Sequence, residues 1–157
     1  MPMTDSHLLL ISRDDILRAI QQDQADPLFR QLAALTRHGH HLLATASQPD
    51  QWDGEHGSPD DALLGPESIR KRLSDAGGTL DGVYYVRRSL LTQKRIRHDA
   101  LNDILNRYGV TADACSLFSS NRKFIQAARE IGIHVKQLSR KAESLLDALD
   151  NLAEQAE

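Results

Sequence analysis

The sequence predicts a three-layer α/β domain: a parallel sheet with helices on both faces. Three observations lead to it. Short apolar runs of strand length recur five times along the chain. Amphipathic helical segments alternate with them, which is the pattern of parallel strands joined by helical crossovers. The runs stop at polar residues, as buried strands do where their ends reach solvent. A chain of 157 residues suits a single domain, 1–157, with one core.

The elements follow in order. Leu8 to Ser12 (LLLIS) is a continuous apolar run, expected for a strand covered on both faces. It hands over to a helix through Arg13, Asp14 and Asp15. Asp26-Pro27 opens the next helix, with Asp as cap and Pro in the first turn, where a missing N–H is tolerated. Leu28, Leu32 and Leu35 form its apolar face, and Gly39 ends it. His40 to Ser47 (HHLLATAS) is the second strand. Gln48 to Pro66 is rich in Gly, Pro and Asp and is expected to be a loop, too small to be a large cap domain. Pro66 to Asp75 is a helix stopped by Gly77-Gly78. Gly82 to Arg88 (GVYYVRR) is rich in strand formers and is the third strand. His98 to Tyr108 is a helix with Leu101, Ile104 and Leu105 on one face. Ala114 to Phe118 is the fourth strand, Asn121 to Ile131 a helix ended by Gly132, and Ile133 to Leu138 the fifth strand. The last segment, 139–157, reads as a helix with Leu145, Leu146, Leu149 and Leu152 on one face. That face either packs on the domain or mediates association with a second copy or another protein.

Composition excludes several classes. Net charge is -3, which gives no global attraction to nucleic acid. Few aromatics stand among the basic residues, so a nucleic-acid surface is not expected. No apolar stretch reaches the roughly 20 residues of a membrane span, and no basic segment precedes an apolar one at the start. The single cysteine, Cys115, excludes an internal disulfide and fits a reducing, cytoplasmic compartment. It lies in a buried strand and should be an inert core residue. His38, His40 and His41 cluster at the wrong end of the sheet for a site. Ligands of such folds bind at the carboxyl ends of the strands, here Ser12 to Asp15, Thr45 to Gln48, Arg87 to Lys94 and Ser119 to Lys123.

These strand ends, taken in order, resemble the motifs of the haloacid dehalogenase superfamily, closest to its histidinol-phosphate and heptose-bisphosphate phosphatases. Ser12-Arg13-Asp14-Asp15 stands where that subset has Asp-Arg-Asp-Gly. Thr45 in LLATAS matches the Thr or Ser of the second motif. YYVRRSLLTQKRIRHDALNDILNRYGV is similar to the segment that carries the motif lysine, at Lys94. SSNRKFIQAAREIGI matches the fourth-motif helix from Ile125 to Ile133. It puts Ser119 at a Gly, Ser120 at the first Asp and Phe124 at the second. The resemblance covers about Leu8 to Leu138.

What the resemblance implies is qualified by where the sequence departs from it. The family's nucleophile, an aspartate that becomes phosphorylated, is Ser12 here. The acid/base position is kept as Asp14, and the phosphate-binding lysine as Lys94. Three carboxylate positions that hold Mg²⁺ in the family are Ser12, Ser120 and Phe124. Mg²⁺ requires hard oxygen ligands in octahedral array, so no metal or other cofactor is expected. Some members carry a Cys/His zinc loop after the third strand; here that region reads Val86, Arg87, Arg88, with no cysteine, so no zinc loop is expected. Ser12, Arg13, Thr45, Ser47, Lys94, Ser120 and Asn121 are expected to line the inherited pocket. Loss of the acids should leave Arg13 and Lys94 without partners. Arg87, Arg88, Arg95, Arg97, Arg122 and Lys123 would then make the mouth positive, suited to a phosphate-bearing small molecule or another anion. The expected function is a degenerate phosphatase fold that lacks Mg-dependent phosphoryl transfer and acts as an anion-binding, regulatory or interaction module. Two alternatives stand beside it: an active phosphomonoesterase on a small metabolite such as a sugar phosphate, and an ordinary helix entry in which Ser12 or Asp14 merely caps.

Overall fold

A computed structural model of the chain describes residues 8–22, 25–48, 65–87, 94–139 and 145–150. Five parallel strands form one sheet in the order β3-β2-β1-β4-β5. They are β1 (Leu8–Ser12), β2 (His41–Gln48), β3 (Gly82–Arg87), β4 (Cys115–Ser119) and β5 (His134–Gln137). The helices are α1 (Arg13–Gln21), α2 (Ala25–Arg37), α3 (Gly65–Asp75), α4 (Lys94–Tyr108) and α5 (Arg122–Ile131). Among the described residues there is no large cap domain, and residues 49–64 are too few to form one.

Strand alternation divides the core in two. Leu9 and Ile11 of β1 face α1, α2 and α3, together with Leu42, Ala44 and Phe118. Leu8 and Leu10 face the other way, onto Leu101, Ile104 and Leu105 of α4 and Ile125 and Ala128 of α5. Both sets of β1 side chains are fully buried, which is why this strand has no polar alternation. Residues 145–150 are helical and join the first of these clusters. Leu145, Ala148 and Leu149 are buried there, and Gln31 donates its amide to the Leu149 carbonyl at 3.2 Å. Leu152 lies outside the described residues.

Strands β2 to β5 and the starts of α2 and α3 shift by one residue from the sequence expectation, and because α2 opens at Ala25, Asp26 lies inside its first turn rather than at the cap. Two further boundaries differ for visible reasons. α4 begins at Lys94, four residues before His98. Its first turn is basic, with no acid or capping residue to announce a start. A tertiary contact holds it instead: Lys94 and His98 both reach Glu130 of α5, at 3.4 and 2.8 Å. Asn121 stands outside α5 as its N-cap, accepting the Phe124 N–H at 3.1 Å. At the other end, Gly132 takes φ +106, the left-handed turn expected of it. Gly78 permits a close approach of α3 to α2: a Cβ there would lie 2.7 Å from the Ala33 Cα. The loop expectation for Gln48 to Pro66 falls mostly on residues 49–64, outside the described residues; at its ends Gln48 belongs to β2 and Gly65 and Pro66 to α3.

Candidate functional site

The strand order places the chain reversal between β1 and β4, so a crevice opens at their carboxyl ends. Register then fixes what lines it. Ser12 pairs with Thr45, and Thr45 with Tyr84. Ser119 follows the Ile11–Phe118 pair on the other side, and pairs in turn with Gln137. A row of hydroxyl and amide side chains therefore crosses all five strands at one level. Ser12, Asp14, Arg18, Thr45, Tyr84 and Phe124, with Ser119, Ser120 and Asn121, enclose a cleft of about 270 Å³.

Each wall has a local cause. Ser12 is the N-cap of α1, yet its hydroxyl makes no capping bond; it lines the cleft instead. The simple helix-cap reading of Ser12 is thereby corrected. Asp14, in the first turn of α1, has a side chain 61% exposed at the mouth. Asp15 is its opposite: buried, it accepts the Ser120 N–H at 3.0 Å and Arg18 Nη1 at 2.7 Å. The next amides in the β4–α5 turn are also satisfied from within, Asn121 N–H by Ser119 Oγ at 3.0 Å and Phe124 N–H by Asn121. The turn is thus held rigid by side chains at both ends. Tyr84 donates its hydroxyl to Asp103 at 2.6 Å and has Arg107 over its ring. Burial, then the Asp103 carboxylate, push its pKa up to about 12.

Of the residues expected in the pocket, Ser12, Asp14, Thr45, Ser120 and Asn121 come together there. Arg13 does not line the cleft. It is buried and contacts Asp14 at 3.2 Å, so it keeps a carboxylate partner. Lys94 is likewise partnered, by Glu130 on the outer side of α4 and α5, and is not a wall of the cleft. His98 shares that Glu130. Hydrogen bonds from Gln126 and His98 keep the Glu130 carboxyl below its ordinary pKa. The Ser47 backbone pairs with Val86, but its side chain lies outside the described ones, as do those of Arg87 and Arg88. Arg95 turns to Asp99 at 3.8 Å. Among the described walls of the cleft the basic residue is Arg18, and it is matched by the Asp15 carboxylate.

The sequence reading missed Arg18, Asp15 and Tyr84. Arg18 had a signal, an acid three residues earlier on the same helix. The same spacing marks Asp15 as its partner, but the Asp15 contact with Ser120 and the Tyr84 contact with Asp103 had no signal, since they join residues 105 and 19 apart. Among the described side chains of the cleft, the oxygen groups are hydroxyls, the Asn121 amide and one exposed carboxylate, Asp14; both oxygens of the neighbouring Asp15 are already engaged. That set is a poor match to Mg²⁺. Among the described residues, no three His, Cys, Asp or Glu side chains gather as a metal cage. No described helix is long and apolar enough to cross a membrane.

No protein-family model matches the chain, and no curated protein matches it in sequence. Solved structures do match. A D,D-heptose 1,7-bisphosphate phosphatase from B. bronchiseptica, in complex with magnesium and phosphate, superposes with a TM-score of 0.69 at 14% identity, over 95% of this chain and 99% of that one. The corresponding enzyme from Burkholderia thailandensis gives 0.51 at 13% identity, over 90% and 84%. An uncharacterized protein from Corynebacterium glutamicum gives 0.58 at 14%, over 94% and 95%. The similarity to the first of these extends over nearly the whole chain. The chain has the fold of the haloacid dehalogenase-like phosphatases.

Proposed function

We propose that the protein is a degenerate form of this phosphatase fold, which binds a phosphate-bearing small molecule or another anion and does not carry out Mg-dependent phosphoryl transfer. The observation that carries the reading is Ser12, standing at the end of β1 with a hydroxyl that lines the cleft and caps nothing. A serine hydroxyl attacks poorly without a base to take its proton, and the described walls of the cleft include no histidine or lysine. Phe124 fills with a phenyl ring a place where the resemblance calls for a carboxylate. What remains are the neutral donors and acceptors Ser12, Thr45, Ser120 and Asn121, with Asp14 and Arg18 beside them, a set suited to holding a ligand. A cytoplasmic setting belongs to the same reading and is supported by the lone, buried thiol of Cys115.

One feature favours the second reading, an active phosphomonoesterase on a small metabolite such as a sugar phosphate. Asp14 lines the cleft at the acid/base position. Hydrolysis of a generic aryl phosphate by the pure protein, with and without Mg²⁺ and beside Asp14→Asn, separates the two. The proposal expects no turnover above the variant. Mg²⁺-dependent turnover that disappears in Asp14→Asn would overturn it.

A further inference from the structure

The charge expected over Ser12 is found beside it. Past Ser120, a second and larger cleft of about 830 Å³ opens at the ends of β4 and β5, lined by Arg18, Ser120, Arg122, Gln137, Leu138 and Ser139. Arg18 and Ser120 belong to both clefts. The two are neighbours along one polar row that runs from Thr45 through Ser12 and Ser119 to Gln137. Their charge differs. The first holds the exposed Asp14 and is neutral or negative. The second has no carboxylate among its described walls and two guanidinium groups, from α1 and α5.

The two arginines are held differently. Arg18 commits Nη1 to Asp15, which fixes its direction and leaves its other N–H groups available. Arg122 has no hydrogen-bonded or ion-pair partner among the described residues. A free guanidinium beside a pre-oriented one, with the Ser120 hydroxyl and the Gln137 amide nearby, suits a tetrahedral oxyanion. Its terminal oxygens can be shared between two planar forks and neutral donors.

We infer that the second cleft, between Arg18 and Arg122, is the anion site of this protein, and that it takes a phosphoryl group whose uncharged, hydrogen-bonding body extends into the first cleft over Ser12. This rests on the anion-binding reading above and deepens it. The site for charge has moved one strand along from the place where the resemblance puts it. The buried Asp15 links the two clefts: through Arg18 it aims a cation into one, and through Ser120 it fixes the wall of the other.

The test is titration of the full chain with inorganic phosphate, followed by calorimetry and by amide chemical shifts. It compares wild type with Arg122→Gln, Lys123→Gln and Ser12→Ala. Arg122 and Lys123 are both exposed on the first turn of α5, so their variants should fold alike and remove equal charge. Only Arg122 lines the cleft. The inference expects Arg122→Gln to weaken phosphate binding by about tenfold or more, while Lys123→Gln stays within about twofold. Equal weakening by both would mean a diffuse field and would overturn the site. Loss on Ser12→Ala with Arg122→Gln unchanged would return the anion to the first cleft, leaving the functional proposal standing without this inference. If wild type binds no phosphate, both fall.

Discussion

Asp15→Ala removes one acceptor from two donors. In the native chain, Asp15 Oδ2 takes the Ser120 N–H at 3.0 Å and Oδ1 takes Arg18 at 2.7 Å, with the carboxylate side chain only 3% exposed. The variant leaves the part-buried Ser120 amide without this partner and the guanidinium without its acid. Breaking a buried charge pair from one side costs about 3–5 kcal/mol. Arg18 is 28% exposed and can turn partly to water, so the lower end, about 3 kcal/mol, is expected. Asp15→Asn keeps an oxygen for Ser120 but turns an amide NH2 toward Arg18, losing the charge and that acceptor, and should cost less than Asp15→Ala because the Ser120 amide stays paired. The assay is urea unfolding followed by circular dichroism. With a slope of about 2 kcal/mol per molar, the Asp15→Ala midpoint should fall by about 1.5 M. A midpoint loss corresponding to less than about 0.5 kcal/mol would refute the reasoning, because it would place Asp15 among ordinary surface positions.

Leu149 is fully buried against α2 and the sheet, so Leu149→Ala should cost about 2–4 kcal/mol in urea unfolding. Full stability at micromolar concentration would show that residues 145–150 are not part of the core. The fold should weaken at high pH. Burial, then Asp103, raise Tyr84 to about 12, and burial, then Asp81, raise Tyr108 to about 12, from an ordinary 10.0. The native state keeps these protons where the unfolded chain releases them. Their contribution is complete below pH 10 and is lost as pH rises through about 12. Tyr84→Phe should make that alkaline loss shallower; an unchanged slope would count against it. Burial alone pushes the Cys115 thiol up to about 12, so a thiol reagent should modify it only after unfolding. Rapid labelling of the native protein would contradict a buried β4.

Much of the architecture was readable because its signals are local. The apolar run Leu8–Leu9–Leu10–Ile11 sets a strand covered on both faces, whatever packs on it. Leu28, Leu32 and Leu35 face the core because a helix repeats every 3.6 residues. The site was legible in part. Ser12, Thr45 and Ser120 were found from their positions after apolar runs, and they do meet. Lys94 was read as a wall, yet Glu130, thirty-six residues further on, holds it outside. The partners of Arg13, Arg18 and Asp15 decide which charges remain available, and none of those pairings follows from periodicity.

By itself, the sequence determined the number, type and order of the elements, the parallel sheet, and the polar residues at the strand ends. These depend on backbone propensity and on the period of apolar side chains, which act over a few residues. Only the tertiary structure decided that β1 lies between β2 and β4, that Asp15 clamps the β4–α5 turn, and that Lys94 pairs with Glu130 while Arg122 borders the second cleft. Those outcomes depend on which distant groups desolvate one another. The free energy of a charge is set by its neighbours in space, and the chain chooses them only when it packs.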